Sequence, residues 1–268
     1  MADRTTGRAR APHWHLRLTV LGVHVTLGAR AILWADTECL RTNGESAGHV
    51  NKLVANAAAS MACITGGWSE LGEVAEAIAC SAPTFDDAMD ALPGRLRSEA
   101  SKIIGRGRRD PRDYCGQVAI LAGYSPRFGC VVAFEFSGAA YFAPVIVSQS
   151  TYPAVADVAP PCSPSDILQI ALAQARELRV SFPGLGCGRL TMAVVTRDQV
   201  TTSAPYDLTN DIGGDGSALP REGAPFGKTL AAPPPLVQPP RIATPRRRAP
   251  DPVDARDDAS GDAPAKIT

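Results

Sequence analysis

Two residues of opposite charge, Asp36 and Lys52, stand sixteen positions apart near the start of this chain. Asp36 closes the apolar run Ala31-Ile32-Leu33-Trp34-Ala35, and Lys52 opens Lys52-Leu53-Val54. On residue type alone, a carboxylate and an ammonium on two strands read as a buried ion pair that ties the strands together. Gly66, fourteen residues beyond Lys52 in Thr65-Gly66-Gly67, reads as a tight strand-to-helix turn. Other chemistry-bearing sets are weaker. His13 and His15 have no carboxylate or cysteine beside them to complete a ligand set, and no metal or cofactor is expected. Gly184-Leu185-Gly186-Cys187-Gly188 does not follow a strand and open a helix, so it reads as a flexible turn and not a dinucleotide loop. The seven cysteines contain no C-x-x-C pair and read as reduced thiols, with Cys63 and Cys187 as inert packing.

The elements that must position these residues follow from periodicity. Leu18 to Val23 and Ala31 to Thr37 flank a turn around Gly28, and both are apolar at nearly every position, which predicts burial on both faces. A helix is expected after Gly67, with Leu71, Val74, Ala75 and Ile78 on one face. A second begins at Thr84, an N-cap followed by Asp86 and Asp87, and Pro93-Gly94 should break or kink it. Val118 to Gly123, Cys130 to Phe134 and Ala140 to Phe142 read as a meander. Ser163-Pro164 opens a third helix through Leu178, and Leu190 to Thr196 is the last strong strand. Two packed antiparallel sheets with helices outside would bury such strands. The class expected is therefore α/β (α+β).

Composition bounds the rest. The chain has 268 residues, 45% of them hydrophobic, and 27 Lys plus Arg against 27 Asp plus Glu, so its formal charge is zero. That balance points to neither nucleic acid nor a membrane surface as the main partner. The run from Leu16 to Ala35 is interrupted by Arg17, His24 and Arg30, so it is a hairpin and not a span, and a cytoplasmic location is expected. Residues 1–15 read as a flexible leader, 16–207 as the ordered domain, and 208–268 as a disordered Pro/Ala/Arg/Asp-rich tail. The Arg246–Arg248 cluster is offset by Asp251, Asp254, Asp257 and Asp258, the pattern of a solvated tail.

The order of elements and the Asp36–Lys52 interval, together with Ala62-Cys63-Ile64-Thr65-Gly66-Gly67, Val118 to Tyr124 and Ala193 to Asp198, resemble a proteasome β-type subunit or its simpler bacterial relative. Both belong to the N-terminal-nucleophile (Ntn) hydrolases, and the resemblance covers Leu18 to Val200. It implies a four-layer α-β-β-α sandwich, a ring-like homo-oligomer and a peptide or protein substrate. In that family an N-terminal threonine attacks the carbonyl, its own α-amine is the base, a lysine lowers the hydroxyl and amine pKa values, and an aspartate orients the lysine. Asp36 and Lys52 fall on the last two roles, and Gly66 on the glycine whose N–H stabilises the oxyanion. If Gly22 matches the glycine of the family's first strand, Leu18 takes the nucleophile position; a slip of one residue gives Thr19. Leu16-Arg17-Leu18 precedes Thr19 where the family offers glycine, and Thr5-Thr6 lies too far before Asp36. Ser148 or Ser150 matches the supporting serine, while no second aspartate appears in 179–184. These departures favour a non-catalytic or degenerate structural subunit. The alternatives are a threonine-type peptidase with Thr19 exposed by loss of the leader, and a non-proteolytic Ntn amidohydrolase.

Overall fold

The computed structural model of the chain describes residues 19–40, 46–155, 161, 163–182 and 187–208. The expected leader, and the expected tail beyond Leu208, lie outside the described residues. Leu208, the last described residue, is fully buried against the core.

The first half of the chain forms β1 (Leu21–Thr26), β2 (Arg30–Asp36), β3 (Glu38–Leu40), β4 (Ser46–His49), β5 (Leu53–Asn56) and β6 (Met61–Gly66), then α1 (Ser69–Ser81) and α2 (Phe85–Gly105). The second half adds β7 (Val118–Ser125), β8 (Cys130–Ser137), β9 (Pro144–Ile146) and β10 (Gln149–Tyr152). After α3 (Pro164–Ser181) come β11 (Arg189–Thr196), β12 (Val200–Thr202) and β13 (Tyr206–Asp207). The architecture is mixed α/β. One sheet runs β10-β1-β2-β11-β12, with β13 also on β11; a second runs β5-β6-β7-β8-β9; β3 and β4 form a separate hairpin. Every pairing is antiparallel.

Strand alternation sorts the apolar residues into three cores. Leu33 and Ala35 of β2 face the second sheet, where they meet the Ile64 and Ile120 layer. Ile32 and Trp34 face the other way, onto Ile167, Ala171 and Leu178 of α3. On its far side the second sheet buries Leu121 and Phe136 against Leu71, Phe85 and Leu92 of α1 and α2. The strand β2 is therefore buried on both faces, as its unbroken apolar run predicts. One polar side chain locks α3 in place: Gln174 accepts from Trp34 Nε1 at 2.9 Å and donates to the carbonyls of Leu21 and Tyr152 at 2.9 and 2.8 Å.

The helices start where their caps say. Thr84 accepts from the Asp87 amide at 3.2 Å, and Ser163 with Asp166 forms a capping box ahead of α3. One expectation narrows and one changes. Pro93 does not break α2, which runs through it with the ring buried against the core; its missing N–H removes one hydrogen bond from a helix of 21 residues held by its apolar face. Ala140 to Phe142 is not a strand. Gly138–Ala140 is a 3-10 turn, Tyr141 and Phe142 take φ of 52° and 54°, and the edge strand forms two residues later. No helix among the described residues is long and apolar enough to cross a membrane.

Candidate active site

The β1–β2 ladder delivers Thr19 to Asp36. Leu21 pairs with Ala35, and the Asp36 amide donates to the Val20 carbonyl at 2.8 Å, so Thr19 stands beside the end of β2. Lys52 arrives from the other sheet, one residue before β5, with its carbonyl accepting from the Thr65 amide at 3.0 Å. The three side chains close a triangle. Thr19 Oγ1 donates to Asp36 Oδ1 at 2.6 Å, and Lys52 Nζ donates to Thr19 Oγ1 and to Asp36 Oδ1, each at 2.7 Å. Thr19 and Asp36 are 2% and 0% exposed, while 12% of the Lys52 side chain reaches the surface. Of the two alignments that the sequence leaves open, this triangle uses Thr19; Leu18 lies outside the described residues.

Burial is the largest influence on Asp36 and pushes its carboxyl above the ordinary value, with Glu38 adding to it; the Lys52 ammonium and the hydrogen bonds from Lys52 and Thr19 pull it back. Gly66 lies against this triangle. A Cβ built on it would meet Thr19 Cγ2 and Leu21 Cδ2, both at 2.7 Å, so only glycine lets the end of β6 approach Thr19 this closely. Ser148 is a correction. It is exposed, and its carbonyl accepts from the Val25 amide, at the far end of β1 from Thr19. The register of β10 on β1 carries it away from the site because Leu21 pairs with Tyr152. Its alternative, Ser150, pairs with Val23 and donates to Glu135 at 2.7 Å, so its hydroxyl is committed away from the triangle.

Neither a comparison with models of protein families nor one with curated proteins finds a match for this chain. The site is therefore read from its own geometry.

Sequence reasoning passed over two neighbours, Thr37 and Glu38. Thr37 bridges the site to the last strands: its Oγ1 accepts from the Arg189 amide at 3.0 Å and lies 3.2 Å from His49 Nδ1. Glu38 is 6% exposed, and its Oε2 has no hydrogen-bond partner among the described residues, a condition shared by Asp36 Oδ2. A carboxylate two positions after Asp36 was the available signal. Cys187 is fully buried, and burial, with Asp36 and Glu38 beside it, pushes its thiol up to about 12. Burial likewise pushes Cys63 up to about 12, so neither thiol is a ready nucleophile at neutral pH. Among the described residues no group of three or more His, Cys, Asp or Glu side chains is placed to hold a metal ion.

Chemically, the triangle holds a secondary hydroxyl between an ammonium and a carboxylate. The ammonium stabilises negative charge that develops on Oγ1, and the carboxylate fixes the ammonium. The acceptor of the hydroxyl proton within the triangle is Asp36 Oδ1, which Lys52 also holds.

Proposed function

We propose that this chain is a proteasome-subunit-like hydrolase of the Ntn type, with Thr19 as its nucleophile once residues 1–18 are removed. The observation that carries the reading is the Lys52 ammonium, 2.7 Å from both the Thr19 hydroxyl and the Asp36 carboxylate. A helix layer, two facing antiparallel sheets and a second helix layer are the order of the four-layer Ntn sandwich, and they support it. Cleavage before Thr19 supplies a base as an α-amine. That amine takes the Oγ1 proton as Oγ1 attacks a peptide carbonyl, Lys52 stabilises the anionic oxygen, and the proton passes to the departing amine. Water then hydrolyses the ester left on Thr19. Gly66, against the threonine methyl, is the glycine whose N–H would meet the oxyanion.

Intact mass tests this directly. The wild-type chain should lose residues 1–18, Thr19→Ala should keep them, and a threonine-directed covalent inhibitor should label Thr19. A chain that keeps its own N-terminus and hydrolyses no peptide overturns the reading. A second reading, a non-catalytic subunit in which Asp36–Lys52 only ties the two sheets, is favoured by Ser148, which lies exposed and away from Thr19. In either reading the resemblance implies a ring-like homo-oligomer, so light scattering should give several times 28.1 kDa.

A further inference from the structure

Gly66 is a wall of the Thr19 site: a Cβ on it would meet Thr19 Cγ2 at 2.7 Å. One residue earlier, the Thr65 amide donates to the Lys52 carbonyl at 3.0 Å, so the end of β6 borders the threonine and carries the lysine. The β6–β7 ladder stops at the Gly66–Val118 pair, and the chain then turns into α1 with little of its own to fix it. Gly66 and Gly67 are the residues that restrain a backbone least, and Gly67 has a φ of 112°. Trp68, the N-cap of α1, makes no side-chain cap bond. Packing does not compensate, because a cavity of about 10 Å³ lies behind the turn, bordered by Gly66, Trp68, Leu96 and Phe142. One buried side chain does compensate. Gln117 is 4% exposed; its Oε1 accepts from the Trp68 amide at 2.5 Å, and its Nε2 donates to the Asp113 carbonyl at 2.8 Å. Only one orientation of the amide meets both groups. A Cβ on Gly67 would collide with that amide, so the turn is folded down onto it. The backbone of Gln117 is fixed in turn, donating to the Tyr114 carbonyl at 3.1 Å and accepting from the Gly138 amide at 2.9 Å. Its side chain thus continues the ladder one step past the last rung.

We propose that Gln117 is a positioning residue of the Thr19 site, clamping the Gly66-Gly67-Trp68 turn so that the end of β6 holds the threonine hydroxyl and the Lys52 ammonium in alignment. This rests on the Ntn reading above. Gln117 touches none of the three side chains of the triangle and acts on them only through the backbone of residues 65–68. Displacing the attacking hydroxyl slows the step in which it takes part, while the groups that hold a peptide stay in place. The loss therefore appears in kcat and not in KM.

The test is peptide hydrolysis by two variants of the full chain. Gln117→Met keeps the length of the side chain and removes both of its bonds. Its kcat should fall about 10- to 100-fold with KM unchanged, at a temperature where chemical denaturation shows it folded. Glu135→Ala, weakened away from the site, should keep its kcat at that temperature. Gln117→Glu is the rescue. As a neutral carboxyl it accepts from Trp68 and donates to Asp113 as the amide does, and on ionising it loses the donor. The ratio of its kcat to the wild-type value should approach one at low pH and fall as pH rises. Wild-type kcat in Gln117→Met, or a kcat that falls only with the folded fraction, overturns the role of Gln117 and leaves the Ntn reading standing. Where Gln117→Met fails to fold, Gln117→Glu decides alone, and a ratio that does not change with pH overturns the proposal. A wild type that retains residues 1–18 and hydrolyses no peptide overturns both, because there is then no attack for the turn to align.

Discussion

Two carboxylates bridge the same pair of sheets, and they are treated in opposite ways. Glu135 of β8 faces the first sheet, where Ser150 donates to Oε2 at 2.7 Å and the Tyr152 hydroxyl donates to Oε1, so both oxygens are satisfied. Asp36 of β2 reaches Lys52 beside the second sheet with one oxygen that takes two donors, while Oδ2 has none among the described residues and neither does Glu38 Oε2 nearby. A carboxylate with both oxygens matched to neutral hydroxyls is a fastening. One that concentrates its bonds on a single oxygen, beside a lysine and a hydroxyl, sacrifices polar satisfaction for an arrangement of charge. The contrast separates a carboxylate satisfied on both oxygens from one held through a single oxygen within one fold.

The sharpest way to break the contrast is Lys52→Ala. It should lower both leader loss and peptide turnover about 10⁴-fold, and cost about 3–5 kcal/mol because Asp36 is left charged and buried; a midpoint shift without loss of turnover would make Asp36 a fastening like Glu135. Gly66→Ala comes next. Its methyl has nowhere to go but into Thr19 and Leu21, so we expect about 10²-fold less turnover from a displaced hydroxyl and about 1–3 kcal/mol of strain, measured on the same preparation by kinetics and chemical denaturation. Glu135→Ala should do the reverse, costing about 2–3 kcal/mol with the two hydroxyls unpaired, while intact mass still reports a chain that begins at Thr19.

The smallest effect is the pH slope. Asp36 has its carboxyl above the ordinary 3.8, chiefly by burial, so between 3.8 and its folded value the native chain holds a proton that the unfolded chain has released. Its contribution to stability is present below 3.8 and is lost as pH rises through the folded value. Denaturant midpoints should fall across that interval in the wild type, and Asp36→Asn should remove this part of the fall.

Much of this was written into the chain in legible form. The apolar runs of β1 and β2, the caps at Thr84 and Ser163 and the Asp36–Lys52 interval each carry a local signal, and local signals survive without knowledge of what packs where. The expectation failed where tertiary context decides. Pro93 sits in a helix because its apolar face outweighs one lost hydrogen bond. Ser148 left the site because the register of β10 is fixed by a partner strand more than a hundred residues away, and no periodicity within 147–150 contains that choice. The step from Leu18 to Thr19 was ambiguous for the same reason: a one-residue slip changes which face a side chain takes, and only the partner across the ladder selects between them. Glu38 went unnoticed because a lone acid in a strand has no pattern; its meaning lies in the bond it lacks.

The position of β2 has a consequence for the birth of the protein. Its neighbour β11 is made long after it, and Thr37 waits for Arg189, which is 152 residues downstream. On a ribosome adding ~5–20 residues per second, that delay is roughly eight to thirty seconds. For most of it Thr19, Asp36 and Lys52 have been translated, yet the first sheet has no β11 to close it, and Gln174 of α3 is made only late in the interval. The threonine is thus translated among the first residues of the domain and enclosed among the last.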